Sequence, residues 1–540
     1  MLYKELSSKP DFSEIQPATL GFWMENKVFE KSVENRTENE VVFYDGPPFP
    51  TGKPHHGTVL VSFIKDMIAR YWTMRGYKVP RVWGWDCHGL PIENQVETLL
   101  GITDKNQIEK ELGIDKFNEK CFEVVSNNND AWREYVDQMA RWVDYDGAYK
   151  TMNTSFMESV MWAFKTCHDK GLIYRDYRVT PYCTHCETSL SISDTRESDS
   201  TRPRQDRWVV VQFKSELTEA GKDVYFLAWT TTPWTLPSNL CLAVGEKLDY
   251  AFVELEDRVL VACKAALPNF KRVFGEEPKI IKEVKGTELV GNRYEPLFPY
   301  FADKAADGAF RVVTADYVGA DEGVGIVHTA PAFGEDDYWT CKNFGIPLVN
   351  PVDAKGRFTE EVTDFYPIQG DKNVIEMNPI IIRFLYDNGK AVADGTIEHN
   401  YPHCWRCKRP LIYKAMDAYY FNIGKVKERL IECNEEVNWV PETVKHGRFG
   451  NWLEGARDWN ISRNRYWSTP IPIWKCNECG KEVVLGSIEE IYNASGVKLD
   501  NLHRQFIDKV TFKCDCCSGE MQRVPEVLDC WFESGSVPFG

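Results

Sequence analysis

The stretch GPPFPTGKPHHGTVL, from Gly46 to Leu60, places glycines, prolines and two adjacent imidazoles at the mouth of an apolar run with helical spacing. A helix start presents unpaired backbone N–H groups and a partial positive charge, which suits phosphate. Gly46 and Gly57 let the backbone approach a ligand, and an imidazole such as His55 or His56 can donate to charge that develops during a displacement. Phosphate binding or transfer is the chemistry that fits.

The cysteines carry a second chemistry. Of 17 in the chain, YCTHC supplies Cys183 and Cys186, and HCWRC supplies Cys404 and Cys407. Two such knuckles make a closed tetrahedral zinc site of four soft thiolates. The competing reading is unrelated reduced thiols. A second set is KCNEC (Cys476, Cys479) with KCDCC (Cys514, Cys516, Cys517). Its spacing favours Cys514 and Cys517 as the second knuckle, with Cys516 as a competitor.

The elements that carry these residues follow from pattern. VVFYDG (41–46) reads as a buried strand ending in a turn. TVLVSFIKDMIARYWTMRG reads as an amphipathic helix, with Val59, Phe63, Met67 and Tyr71 on its apolar face and Gly76 as C-cap. KVPRVWGWDCHGLPIE offers a short strand and a Gly/Pro loop. Strand, loop, helix, strand opens a doubly wound α/β domain, whose ligands gather at the carboxyl ends of its strands. From about 97 to 170 the pattern is helical. Over roughly 205–395, RWVVVQF, VYFLAWTTTPWTL, LDYAFVELED, RVLVACKA and GVGIVHTA are β-rich and turn-punctuated. The first two knuckles flank this block, so a zinc there would pin the exit and return of an inserted domain.

Composition bounds these readings. A chain of 540 residues holds several domains, because single cores rarely pass roughly 250–300 residues. No apolar run nears the roughly 18 residues of a membrane span, and MLYKELSSKPDFSEIQ bears charges where a secretory signal is apolar. A soluble, cytoplasmic chain with no membrane partner is expected. The net charge of -17 argues against a generic basic nucleic-acid coat, although a local basic stripe suffices for such a partner.

Along nearly its whole length the sequence resembles the class I isoleucyl-tRNA synthetases. YDGPPFPTGKPHHG is similar to the family's ATP-binding loop, and GWDCHGLPIE to its isoleucine-type segment. LAWTTTPWTLPSN and GVGIVHTAPAFGEDDY resemble the two halves of its editing pocket. ARDWNISRNRYWSTPIPIW and VPEVLDCWFESGS resemble the return to its catalytic domain. The resemblance implies an α/β fold: a Rossmann-type catalytic domain, split and incomplete at the C-terminus, with an inserted β-rich editing domain and zinc knuckles. The implied order is catalytic first half (1–180), knuckle connection (181–204), editing domain (205–398), return connection with knuckle (399–470), second zinc-binding insertion (471–524) and start of the catalytic second half (525–540).

The implied activity is ATP-dependent formation of isoleucyl-adenylate and transfer to tRNA(Ile), with hydrolysis of misactivated valyl products. ATP, isoleucine and tRNA(Ile) are the implied partners, Mg²⁺ and Zn²⁺ the implied metals, and a monomer the implied state. Gly46, Pro48, His55, His56 and Gly57 fall on the ATP loop, and the resemblance makes His55, Gly57 and Thr58 its catalytic positions. Asp86 matches the carboxylate that pairs with the substrate ammonium, and Pro47 and Trp531 match the walls of the side-chain pocket. Thr230, Thr231, Thr232 and Asn239 match one half of the editing pocket, His328 and Asp337 the other. The preference for Asp337 over neighbouring Asp336 rests on the resemblance alone.

Two departures matter. The family loop reads H-x-G-H, and here the last position is Thr58, which brings a hydroxyl but no imidazolium charge. Losing one such donor costs about 2.7–4 kcal/mol by analogy with an oxyanion-hole deletion. Ser468 stands where the family has Gly. No second ATP loop of KMSKS type occurs in the 540 residues, which the resemblance reads as a truncated chain that activates isoleucine poorly by itself. The alternatives are a trans-acting deacylase that edits without activating, and a non-catalytic paralogue that only binds.

Overall fold

A computed structural model describes residues 9–36, 38–103, 105, 107–127, 129–190, 195, 200–320 and 323–540. Residues 1–8 of the charged N-terminal stretch and most of 191–199 in the first knuckle connection lie outside them. Two compact units result: unit 1 is Met1–Tyr174 with Tyr420–Gly540, and unit 2 is Arg175–Tyr419. No helix among the described residues is long and apolar enough to cross a membrane.

In unit 1 the helix His56–Met74 is followed by the strand Val82–Trp85, which pairs in parallel with Asp144–Lys150. Trp83, Trp85, Ile92, Phe117, Trp132, Tyr466 and Trp467 form the core around this pair. Asp144–Lys150 falls inside a segment whose pattern reads as helical. Its sequence DYDGAYK has no burial alternation and its pairing carries a register shift between Val82 and Gly84, so no period of two marked it as a strand. Conversely, 41–46 is not a strand. Its backbone is held by one parallel bridge, Glu40 to Lys78, and Val42 and Tyr44 are exposed.

The His56–Met74 helix packs differently from its pattern. Ser62, Ala69 and Thr73 are the buried positions, while Leu60, Phe63, Met67, Tyr71 and Met74 are exposed. Small residues fit there because Arg81 reaches the helix, donating from Nη2 to Ala69 O at 2.9 Å and to the Thr73 hydroxyl.

The last third of unit 1 contains a small antiparallel sheet ordered 482–484, 473–476, 520–523, 512–513. With the helix Ile488–Ser495 it packs Trp474, Ile491, Leu502, Ile507, Val510 and Met521 into one core with Met157 and Met161 of the helix Thr154–Asp169.

Unit 2 is built on a six-stranded sheet ordered 280–285, 249–254, 258–263, 222–230, 201–219, 391–402. Val209, Val211, Phe226, Ala228, Val259 and Val261 pack on one face, and Val210, Leu227, Leu260 and Ala262 on the other. Burial of both faces is why these strands read as unbroken apolar runs rather than alternations. A three-stranded sheet places Cys241–Val244 between Arg311–Thr314, which is parallel to it, and Ile326–Thr329, which is antiparallel.

Candidate functional site

In unit 1, His55 is the N-cap of the His56–Met74 helix. Its Nδ1 accepts the Gly57 N–H at 3.1 Å, and its own backbone N–H donates to Thr58 Oγ1 at 3.3 Å, a reciprocal capping box. Since Nδ1 is an acceptor, the proton of the neutral ring sits on Nε2, which is left as a donor. The tight fit explains Gly57: a Cβ there would lie 3.0 Å from His55 Cε1. His56 is exposed at the first helical position. Thr58 thus has a structural task that sequence reasoning missed, and the S/T-x-x-E/Q form of the box gave no signal for it.

Asp86 follows the carboxyl end of the strand Val82–Trp85. Its backbone N–H donates to Pro48 O at 3.0 Å, which ties it to the Gly46–Pro50 loop. The loop's Phe49 meets Trp531 edge to face at 6.0 Å, so Asp86 and Trp531 both touch the loop that holds Pro47 and Pro48. Lys65 and Arg141 pair with Asp45 just before it. The Asp86 side chain is 1% exposed, and its Oδ1 is buried without a partner. Burial, then the charges of Glu533 and Asp529, push its carboxyl well above the usual range, against a backbone hydrogen bond from His88. Burial disfavours the charged form, and a cation beside this carboxyl would offset that cost. Gly89, at φ +94°, caps the next helix, and a Cβ there would strike Cys530 at 2.9 Å. Trp531 itself is 48% exposed, and its N–H is capped by Asp529.

In unit 2, Thr230 ends a strand, Asn239 follows a short 3-10 turn, and His328 lies opposite Leu242 across the small sheet. Thr230 Oγ1 is 3.1 Å from Thr232 Oγ1, which is 3.3 Å from Thr235 Oγ1. Thr235 Oγ1 is 2.8 Å from His328 Nε2, and Asn239 Nδ2 is 3.0 Å from His328 Nδ1. The Tyr294 hydroxyl donates to Asn239 Oδ1 at 2.8 Å. Thr231 is half-buried beside this network and takes no part in it. Thr235 and Tyr294 escaped sequence reasoning because a threonine in a short 3-10 turn and a tyrosine at an isolated bridge carry no spacing signal. Burial lowers the His328 imidazole to about 3, so it is neutral.

Asp337 lies in the first turn of the helix Glu335–Asn343 and accepts the Ala330 N–H at 2.8 Å. Asp336 faces solvent. Burial, with Asp336 adding to it, pushes the Asp337 carboxyl up to about 7. A Cβ on Gly334 would lie 2.8 Å from Asp337 Cγ.

Each set of four thiols converges. Cys183, Cys186, Cys404 and Cys407 bring their sulfurs within 4.8 Å of one another in unit 2, as do Cys476, Cys479, Cys514 and Cys517 in unit 1. Close pairs are Cys183 with Cys407 at 3.4 Å, Cys476 with Cys517 at 3.4 Å, and Cys479 with Cys514 at 3.7 Å. Four thiolates about 2.3 Å from one zinc stand about 3.8 Å apart, so both sets fit a tetrahedral zinc. Backbone N–H groups of Cys479, Cys516 and Gly519 point at the sulfurs of the second set. Cys516 is exposed and groups with Cys514 and Asp515 instead.

A parallel strand pair with a carboxylate at its carboxyl end, a capped helix start beside it and two thiol clusters define a class of protein. Residues 18–540 match the tRNA synthetases class I (I, L, M and V), and the chain belongs to that family. Among its relatives it is 46% identical over 570 aligned residues to the isoleucine–tRNA ligase of Treponema denticola, covering 100% of this chain and 51% of that one. It is 47% identical to isoleucine–tRNA ligase 2 of Pseudomonas fluorescens, covering 98% and 50%, and 47% identical to the isoleucine–tRNA ligase of Corynebacterium diphtheriae, covering 98% and 52%. The chain spans about half the length of these curated relatives.

Proposed function

We propose that this chain belongs to an isoleucine–tRNA ligase, with unit 1 as a split Rossmann-type activating domain and unit 2 as an inserted editing domain. The observation that carries the reading is Asp86, a buried carboxyl with one unpartnered oxygen, which the ammonium of an amino-acid substrate would neutralise. The names of the relatives support isoleucine and tRNA(Ile) as substrates, and the family supports ATP.

In this reading the isoleucine ammonium pairs with Asp86, and its aliphatic side chain lies toward Pro47 and Trp531. ATP, with Mg²⁺, lies at the start of the His56–Met74 helix near Gly46, Pro48, His56 and Gly57. An isoleucine carboxylate oxygen bonds to the α-phosphorus as the bond to pyrophosphate breaks. The Nε2–H of His55 and the helix start stabilise the charge that builds on the phosphate. A ribose hydroxyl of tRNA(Ile) then attacks the adenylate carbonyl and AMP leaves. Each thiol cluster would hold one zinc, which braces the fold and leaves no position open for chemistry.

An apolar pocket separates isoleucine from valine by one methylene, about 1–3 kcal/mol, a limit for which isoleucyl enzymes are themselves the usual illustration. Unit 2 supplies the second sieve. Asp337 receives the ammonium of a valyl ester, while Thr230, Thr231 and Thr232, backed by His328 and Asn239, orient the ester and the attacking water.

Isoleucine-dependent ATP–pyrophosphate exchange tests the reading. Asp86→Asn should lower kcat/KM for isoleucine at least a hundredfold with KM for ATP little changed. Full exchange in that variant would sink the assignment of Asp86.

A further inference from the structure

A buried row of three side chains in unit 1 has no part in the chemistry above. His88 Nδ1 lies 2.9 Å from Glu533 Oε2, and His88 Nε2 lies 2.9 Å from His503 Nε2. All three are within 3% of full burial. Donor directions are fixed at one end. Asn501 Oδ1 accepts the His503 backbone N–H at 2.9 Å, so it is also the acceptor for His503 Nδ1–H at 2.7 Å. His503 Nε2 is therefore bare and takes the Nε2–H of His88. Burial, and then the charge of His88, hold His503 well below the usual imidazole range, so it stays a neutral acceptor. Trp467 stacks flat on His503 at 4.3 Å and donates from Nε1 to Cys87 O at 2.7 Å. The far oxygen of Glu533 takes the Ser468 hydroxyl at 2.8 Å and the Thr469 N–H at 2.6 Å.

The row ends at the amino-acid pocket. His88 is two residues beyond Asp86, and Trp467, on which His503 stacks, grips the backbone on both sides of it: it donates to Cys87 O and accepts the Gly89 N–H at 2.9 Å. A fixed His88 ring and a fixed Trp467 therefore hold the 87–89 turn next to this carboxylate. The other end begins in the small sheet module of 471–524. Leu502 and Ile507, on either side of His503, share one core with Cys476 and Cys514. Met157 and Met161 of the helix Thr154–Asp169 complete that core, and the four-thiol cluster clasps the module's chain at 476–479 and 514–517.

We propose that His503 is a positioning residue of the amino-acid pocket: the thiol-clasped module inserts it into the core, where it holds His88 and Trp467 and, through the 87–89 turn that these two fix, the placement of Asp86. This rests on the role proposed for Asp86. It gives the second thiol cluster a function in substrate recognition in addition to its own fold.

The test is calorimetric binding of L-isoleucine to the unaltered protein and to His503→Phe and His503→Gln. Phenylalanine keeps the stack on Trp467 and offers no nitrogen to His88, whereas glutamine restores an amide there. The expected result is a Kd at least tenfold weaker for His503→Phe, largely recovered in His503→Gln, with ATP affinity and zinc content unchanged. Isoleucine binding by a folded His503→Phe as tight as the parent's overturns the proposal. The unaltered protein gives a second reading that needs no variant. Coupled sites affect each other reciprocally, so isoleucine should slow deuterium exchange across 497–508 and leave the helix Lys427–Glu436 unchanged. Exchange unaltered across 497–508 also overturns it. An unaltered protein that binds no isoleucine removes the Asp86 reading and this one together, whereas failure at His503 alone leaves Asp86 in place.

Discussion

His328 donates to Thr235 and does not accept from it. Asn239 Oδ1 is taken by the Tyr294 hydroxyl, and its Nδ2 donates to Cys241 O at 2.9 Å, so the amide orientation is fixed. The same Nδ2 then donates to His328 Nδ1, which leaves the single ring proton on Nε2, facing Thr235. His328 is thus an orienting donor, and the neutral ring has no free nitrogen with which to act as a base.

Thr235→Val should therefore impair hydrolysis of Val-tRNA(Ile) while sparing activation. An unpaired buried donor costs about 1–3 kcal/mol, which corresponds to a fall of roughly 5- to 150-fold in deacylation. Nitrogen-15 NMR of the imidazole checks the cause: the parent His328 should show protonation at Nε2, and Asn239→Asp, which cannot donate to Nδ1, should shift it.

Asp337 predicts a pH dependence. Its folded value of about 7 lies above the ordinary aspartate value of about 3.9. The folded state binds this proton more tightly than the unfolded one, so the stability it contributes is full below about pH 4 and is lost as pH rises through about 7. Asp337→Asn keeps an acceptor for the Ala330 N–H and removes the ionisation. Its Tm should match the parent's at pH 4.5 and exceed it at pH 8.5, read by thermal denaturation. Equal Tm values at pH 8.5 would contradict the burial argument.

Thr58→Val removes the return hydrogen bond of the capping box at His55. Loss of a helix cap typically costs about 0.5–2 kcal/mol, and the loss should localise to the first turn of the His56–Met74 helix. Faster deuterium exchange at 56–60, with unit 2 unchanged, is the expected reading.

The thiol clusters predict two zinc ions per chain by elemental analysis. Cys517→Ser should lower this to one. Cys516→Ser should leave it at two, because the Cys516 side chain is outside the cluster of four.

How much of this could be read in advance depended on distance along the chain. Each C-x-x-C knuckle is local, so its chemistry was readable, whereas the meeting of Cys183 with Cys407 spans 224 residues and needed the fold. Spacing left Cys516 and Cys517 in competition, and the backbone turn after Cys514 separates them. Thr235 and Tyr294 join the His328 network across 93 and 55 residues, with nothing local to mark them. The helical pattern near Phe63 and Met67 was real, but periodicity does not say which face is covered. The small residues Ser62, Ala69 and Thr73 were the better guide to the close-packed side.

The chain leaves unit 1 at Tyr174 and returns at Tyr420, and these two rings stack at 5.7 Å. That closeness has a consequence on the ribosome. At roughly 5–20 residues per second, all of 175–419 takes tens of seconds to emerge between the two halves of unit 1. The first half must wait, with Trp83 and Trp85 lacking the Tyr466 and Trp467 that complete their core. Unit 2, contiguous in the chain, has all its strands before that partner appears, so the later unit in the sequence is positioned to finish folding first.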